Sequence, residues 1–224
     1  MTTGKPAKVA MVVGATGATG KVLMKYLLES EHYNQIIVVH YRSTPWASHP
    51  KVREIVMSFD QLKALEAESK VDTLFCCLGT TIKKAGSKIG FTKVDQDYVL
   101  ALGQWAVSHE NPSFHLVSAY GANAKSLAFY MRVKGETEKM LNSMGLRSLS
   151  LYQPSLLHGD RNEFRFMESV GFYVMSLLSS LPLASMKVLR PTRIEALARL
   201  MYEQSLLDIS GMRVFRPSDI AACE

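Results

Sequence analysis

A chain of 224 residues, 47% of them hydrophobic and 21% charged, has the balance of a folded globular protein and excludes a disordered one. The length suits one α/β domain with at most a small appendage. The formal net charge of +6 suits an anionic small ligand, and its basic residues are spread along the chain without clustered aromatic platforms, so no nucleic-acid partner is expected.

Cys76, Cys77 and Cys223 form no disulfide framework and point to a reducing, cytoplasmic setting. The opening Met-Thr-Thr-Gly-Lys-Pro lacks the apolar core of a signal peptide. The longest apolar stretch, Gly171 to Ala184, contains three serines and Pro182, and no membrane span is expected from it.

Short β-rich runs alternate with helical patterns, the sign of a parallel sheet with crossover helices. Lys8 to Val13 reads as a strand buried on both faces, followed by a helix over Lys21 to Ser30. Strands follow at Gln35 to His40 and Val52 to Met57. A short helix over Gln61 to Ser69 precedes a strand at Asp72 to Leu78. A long helix over Phe91 to Glu110, a strand at Phe114 to Ser118, a helix over Phe129 to Met144 and a strand at Arg147 to Gln153 continue the alternation. Beyond that, helices are placed near Met167 to Leu178 and Arg193 to Leu207, with a last strand at Met212 to Phe215. The expected architecture is α/β, a Rossmann-type doubly wound parallel sheet in one domain, with 155–224 contributing a small substrate-side cap.

The first strand runs straight into Gly14-Ala15-Thr16-Gly17-Ala18-Thr19-Gly20. Glycine at these positions permits a sharp turn and the close approach of backbone N–H groups to a pyrophosphate. The following helix offers its free N–H groups and positive dipole end to the same anion.

NAD enzymes usually place an acid at the end of the second strand to hold the ribose 2′-hydroxyl. Here Val39-His40-Tyr41-Arg42-Ser43 offers none, and Arg42 is suited to forking onto a 2′-phosphate. NADP(H) is therefore the expected cofactor. Asp60 stands where a side chain can meet the adenine amino group or cap the following helix. Leu78, Gly79 and Thr80 leave the fourth strand at the ligand-binding edge of the sheet.

Tyr130 and Lys134 lie four apart on one helix face, and Ser118 ends the fifth strand. A tyrosine beside a lysine ammonium has its pKa lowered and can exchange a proton with a carbonyl or alcohol. Lys134 is also expected to bind the ribose, with Tyr130 close to the cofactor. A serine hydroxyl opposite would hold the same substrate oxygen while hydride passes to or from the nicotinamide.

The phosphate loop, Phe75-Cys76-Cys77-Leu78-Gly79-Thr80-Thr81, Val94-Asp95-Gln96-Asp97-Tyr98-Val99-Leu100 and Tyr130-Met131-Arg132-Val133-Lys134-Gly135-Glu136 together resemble the atypical short-chain dehydrogenase/reductases. Within them they are most similar to the Tat-interacting-protein oxidoreductase-like group and its bacterial relatives. The resemblance implies NADP(H) on a Rossmann fold, with Ser118, Tyr130 and Lys134 matching the active-site serine, tyrosine and lysine. Many members carry an asparagine in the long helix after the fourth strand, where this chain offers Asp95 and Asp97.

Adjacent strand residues point to opposite faces, so Cys76 and Cys77 are expected in core packing and not on one ligand. No metal-ligand spacing appears among the six histidines. His158 and Arg161 border the region after the sixth strand, and Phe166 to Leu183 suits a helix covering the sheet. The leading expectation is an NADP(H)-dependent oxidoreductase acting on a small carbonyl or alcohol, as a monomer or homodimer. A cofactor-binding regulatory protein with little catalysis is the first alternative, and an epimerase-like enzyme the second.

Overall fold

The structure is a computed structural model that describes residues 7–67, 70–158 and 191–223. Its centre is a seven-stranded, wholly parallel sheet. The first six strands are β1 (Lys8–Val13), β2 (Tyr33–His40), β3 (Val52–Val56), β4 (Thr73–Cys76), β5 (Ser113–Val117) and β6 (Ser148–Tyr152). Two short strands, β7 (Leu157–His158) and β8 (Thr192–Arg193), pair with each other, and β9 (Gly211–Phe215) joins the edge of the main sheet. The order β3-β2-β1-β4-β5-β6-β9 reverses direction between β1 and β4. A crevice opens at such a point, outside the carboxyl ends of the strands.

The alternation along each strand builds two cores. Met11, Val13, Ile37, Val39, Leu74 and Cys76 face one side, under the helices α4 (Tyr98–Ser108) and α5 (Phe129–Asn142). Ala10, Val12, Ile36, Val38 and Phe75 face the other, under α1 (Ala18–Glu29) and the helix Ile194–Ser205. Each fully buried valine, leucine or isoleucine contributes about 1.5–3 kcal/mol by leaving water, and this two-sided burial is what continuous apolar strands require. A row of rings crosses the second face: Phe75 to His115 at 5.1 Å, His115 to Tyr152 at 5.9 Å and Tyr152 to Phe215 at 4.9 Å between centroids.

Three stretches differ from the expected elements. α1 begins at Ala18, so the last glycine of the loop sits inside the helix. The described part of the expected helix Gln61 to Ser69 is no α-helix; a 3₁₀ run covers Phe59–Ala64. Its buried Leu62 is three residues from buried Leu65, a spacing that suits three residues per turn. The long helix starts at α3 (Lys88–Thr92) and contains a π-helical turn, Lys93–Asp97, before α4. Such wide turns recur at functional sites.

The short helices α2 (Ile82–Ala85) and Pro217–Ala221 and the β7–β8 pair have no counterpart among the expected elements. The C-terminal stretch packs its helix Ile194–Ser205 on α1 and adds β9 to the sheet. The expected helix at Met167 to Leu178, the apolar Phe166 to Leu183 and Arg161 lie outside the described residues.

Candidate active site

Gly14 follows β1 with φ +89°, a conformation favouring glycine, and a Cβ there would stand 2.6 Å from the Cys77 carbonyl. A Cβ on Gly20 would run into the carbonyl oxygen of Gly14, so the loop and the start of α1 lie tightly against each other and against β4. The Gly17 N–H closes the turn onto the Gly14 carbonyl at 3.0 Å, and no side chain caps α1. The helix end is thereby left to a ligand. Gly14, Thr16, Gly17, Ala18 and Thr19 line a cleft of about 1210 Å³. Ala15 is turned into the core, and Gly20 serves the loop by packing on Gly14.

At the end of β2, buried His40 bridges the loop and the next turn. Its Nε2 is 2.9 Å from the Thr16 hydroxyl and its Nδ1 2.9 Å from the Arg42 carbonyl. Exposed Arg42 lies over the Tyr41 ring, 5.3 Å from its centroid, and both line the cleft. Glu54 on β3 is the nearby acid, and it is occupied. It accepts from the Ser43 hydroxyl at 2.8 Å, the Thr44 N–H at 2.7 Å and the Thr44 hydroxyl. Sequence reasoning missed both His40 and Glu54, although a histidine ending a buried strand is a visible signal.

Asp60 departs from its expected place. Its carboxylate pairs with Lys93 at 2.7 Å and accepts from the Tyr98 hydroxyl at 2.9 Å, both across a neighbouring groove. Phe59 beside it borders the main cleft. The helical run starts at Phe59, with Ser58 as the cap, and turns Asp60 outward. Leu78, Gly79 and Thr80 line the cleft.

Ser118, Tyr130 and Lys134 all reach the same cleft, at the end of β5 and along α5. Lys134 is sealed in, and its Nζ lies 2.7 Å from Oδ1 of Asp95 in the π-helical turn. The other Asp95 oxygen accepts the Thr80 N–H at 2.9 Å. Burial acts to lower the Lys134 pKa, but Asp95 and Tyr130 outweigh it and hold the ammonium charged, above the usual lysine range. Asp97 instead borders the outer groove.

Tyr130 does not behave as the lysine alone would make it. Burial raises its hydroxyl above the usual phenol range; Lys134 pulls down and Asp95 pushes up. The expected lowering is absent because burial outweighs the ammonium, and Asp95 acts in the same direction as burial. The Tyr130 ring packs on Phe91 at 5.3 Å between centroids.

Ser118 donates its hydroxyl to Glu138, and the Gln153 amide donates to both Glu138 oxygens at 3.0 Å. Glu138 also escaped sequence reasoning, although it continues the four-residue spacing of Tyr130 and Lys134. Cys76 is buried in one core, its thiol pushed up to about 12 by desolvation. Cys77 packs toward the other and borders the cleft, its thiol likewise raised by burial. His158 is an exposed residue of β7.

A parallel sheet switching at β1 and β4, a glycine loop at the switch and a serine, tyrosine and lysine on one cleft define a protein of the short-chain dehydrogenase/reductase class. Residues 8–89 match the family model of the NAD binding domain of semialdehyde dehydrogenase. Protein HTATIP2 of Rattus norvegicus is 35% identical over 161 residues, 70% of this chain and 66% of that protein. Mitochondrial protein FMP52 of Lodderomyces elongisporus is 30% identical over 163 residues, 68% of each. The crystal structure of an oxidoreductase of the short-chain dehydrogenase/reductase family from Burkholderia thailandensis superposes with a TM-score of 0.67 at 15% identity, covering 97% of this chain and 94% of that one. The chain belongs to the family of protein HTATIP2 and protein FMP52, and its fold is that of the short-chain dehydrogenase/reductases. It spans about two thirds of the length of these curated relatives.

Proposed function

We propose that this protein is an NADP(H)-dependent oxidoreductase acting on a small carbonyl or alcohol. The observation that carries the reading is the meeting of Ser118, Tyr130 and Lys134 with the glycine loop on one cleft. The close packing of Gly14 on the Cys77 carbonyl, with α1 left uncapped, fits a pyrophosphate cradle. When bound, the nicotinamide supplies the hydride acceptor or donor.

The residues divide the remaining work. Backbone N–H groups of Gly17 to Thr19 hold the pyrophosphate, and Arg42 forks onto a 2′-phosphate. The engagement of Glu54 by Ser43 and Thr44 supports NADP(H), because this acid is already taken up by hydrogen bonds and not offered to a 2′-hydroxyl. Lys134 binds the ribose and holds charge near Tyr130. Tyr130 exchanges the proton of the substrate oxygen, which Ser118 positions. In this reading residues 155–224 contribute a small substrate-side cap. The free thiols support a reducing compartment, the cytosol in our reading, and cell fractionation decides between it and the mitochondrion.

Calorimetric titration with NADPH and NADH, followed by NADPH oxidation across aldehydes, ketones and quinones, tests the reading. Tight NADPH binding with turnover supports it. Tight binding without turnover on any of them favours a cofactor-binding regulatory protein instead, a role that the locking of Lys134 by Asp95 would suit.

A further inference from the structure

His40 ends β2 and is 3% exposed, yet it borders the cleft. It stands between two residues that face an anion bound there. Its Nε2 is 2.9 Å from the Thr16 hydroxyl and its Nδ1 2.9 Å from the Arg42 carbonyl. Thr16 belongs to the glycine loop and Arg42 to the turn after β2, and both line the same cleft. One imidazole thus ties the loop to the residue assigned to the 2′-phosphate.

The carbonyl decides the polarity of this chain. A carbonyl oxygen only accepts, so Nδ1 carries a hydrogen; a bare Nδ1 would set lone pair against lone pair at 2.9 Å. The Arg42 N–H also points at Nδ1, from the longer distance of 3.2 Å. In the neutral ring Nε2 is then bare, and the Thr16 hydroxyl donates to it. Thr16 keeps only oxygen lone pairs for the cleft, the wrong sign for a phosphate. A protonated ring donates from both nitrogens. Thr16 then accepts from Nε2–H, and its own proton is free to turn outward.

We propose that His40 is a positioning residue that selects the 2′-phosphate: as NADP(H) binds, Nε2 takes a proton from solvent and the Thr16 hydroxyl turns from His40 to the phosphate. The phosphate meets a second positive charge beside Arg42 and an O–H donor on the loop. A neutral ribose 2′-hydroxyl draws no such proton, so the preference for NADP(H) over NAD(H) rises as pH falls. The inference rests on the NADP(H) reading of this cleft.

The surroundings suit the role. Histidine is the side chain whose charge changes most readily around neutral pH. Glu54 of β3 is the acid in reach. Desolvation raises its carboxyl, but hydrogen bonds from Thr44 and Ser43 and the charge of His40 outweigh this and hold it below the usual glutamate range. An ionised Glu54 in turn favours a cationic ring. Tyr41 stacks on His40 at 4.4 Å between centroids and has the Arg42 guanidinium over its other contacts, 5.3 Å from its own centroid. Arg42 opposes a second cation until a phosphate dianion arrives and reverses the balance. The glycine loop and the 3₁₀ run contribute the neutral Thr16 and Phe59.

The test is calorimetric titration with NADPH and NADH in buffers of different ionisation enthalpy, which measures the protons taken up on binding. At about pH 7.5 a phosphate monoester, which loses its second proton near about pH 6, is already a dianion and adds almost nothing to that number. Wild type should take up a sizeable fraction of one proton with NADPH and none with NADH. Its preference for NADPH should grow by up to about 10-fold per pH unit on acidification. His40→Gln and Thr16→Val should each lose the uptake and the pH dependence, whereas Thr16→Ser should keep both. Should the buried His40→Gln fail to fold, wild type and the two Thr16 variants decide. Tighter binding of NADPH by wild type without proton uptake would overturn the inference and spare the NADP(H) reading, and so would uptake that persists in His40→Gln or Thr16→Val. Equal affinities for the two dinucleotides at every pH, or no binding of either, would overturn both.

Discussion

Asp95 and Lys134 form an ion pair of 2.7 Å with 1% and 6% of their side chains exposed. A buried pair of this kind is weak evidence of net stabilisation, but losing one partner leaves an unpaired charge in the interior. Asp95→Ala should therefore cost about 3–5 kcal/mol in denaturant unfolding. Asp95→Asn keeps an acceptor for the Thr80 N–H and should cost less than Asp95→Ala while still releasing Lys134 from its partner. Equal stability of wild type and Asp95→Ala in urea melts would show that the pair is not sealed as described.

Gly14 is held by backbone on both counts that matter. Its φ is +89°, and the atoms a Cβ would meet belong to the Cys77 carbonyl, which cannot swing aside. Gly14→Ala should cost at least about 2 kcal/mol and abolish NADPH binding in calorimetry, because the loop must shift away from β4. Retained affinity would remove the loop from the cofactor site.

His115 gives the fold a pH dependence of known sign. It is 1% exposed, lies beside Tyr152 with Nδ1 2.9 Å from the hydroxyl, and its pKa is lowered to about 3 by desolvation and then by Arg213 and Lys8. Unfolded, it takes a proton near pH 6.5, whereas the folded protein refuses one until about pH 3. The neutral form's full benefit is thus present above pH 6.5 and is lost as pH falls towards 3. Between pH 7 and 5 this should remove about 2 kcal/mol. Carboxyls also take protons on acidification, so the difference between wild type and His115→Gln isolates the histidine. Stability of His115→Gln should fall less steeply on acidification, and parallel curves would contradict the assignment.

Arg42 is the residue whose loss should separate the two cofactors. A charge-assisted fork contributes about 1.5–3 kcal/mol, so Arg42→Ala should weaken NADPH binding roughly 10- to 100-fold and leave NADH little changed. Equal losses for both dinucleotides would show that Arg42 acts on the shared part of the cofactor or on the loop itself.

The order of strands and helices was readable because it is written locally: continuous apolar runs in β1 and β2, helical spacing in α5, and glycines where β1 must turn. The convergence of Ser118, Tyr130 and Lys134 was readable from their order along an alternating chain. What was hidden depends on tertiary pairing. Nothing in the spacing of Asp95 and Lys134 shows that a π-helical turn aims one at the other, or that burial raises the tyrosine's pKa against the pull of the lysine. Asp60 was misplaced because one turn of 3₁₀ helix sends its side chain toward Lys93. Glu138 repeated a visible spacing, but its meaning depended on Ser118 reaching it from another strand.

The central claim is that Tyr130 exchanges a proton with a substrate bound over the cofactor. The most direct measurement is kcat/KM for NADPH-dependent carbonyl reduction by wild type and Tyr130→Phe, with NADPH affinity measured alongside. The expected result is a loss of about 10²–10⁴-fold with NADPH affinity nearly unchanged. An unchanged kcat/KM for Tyr130→Phe would contradict the claim.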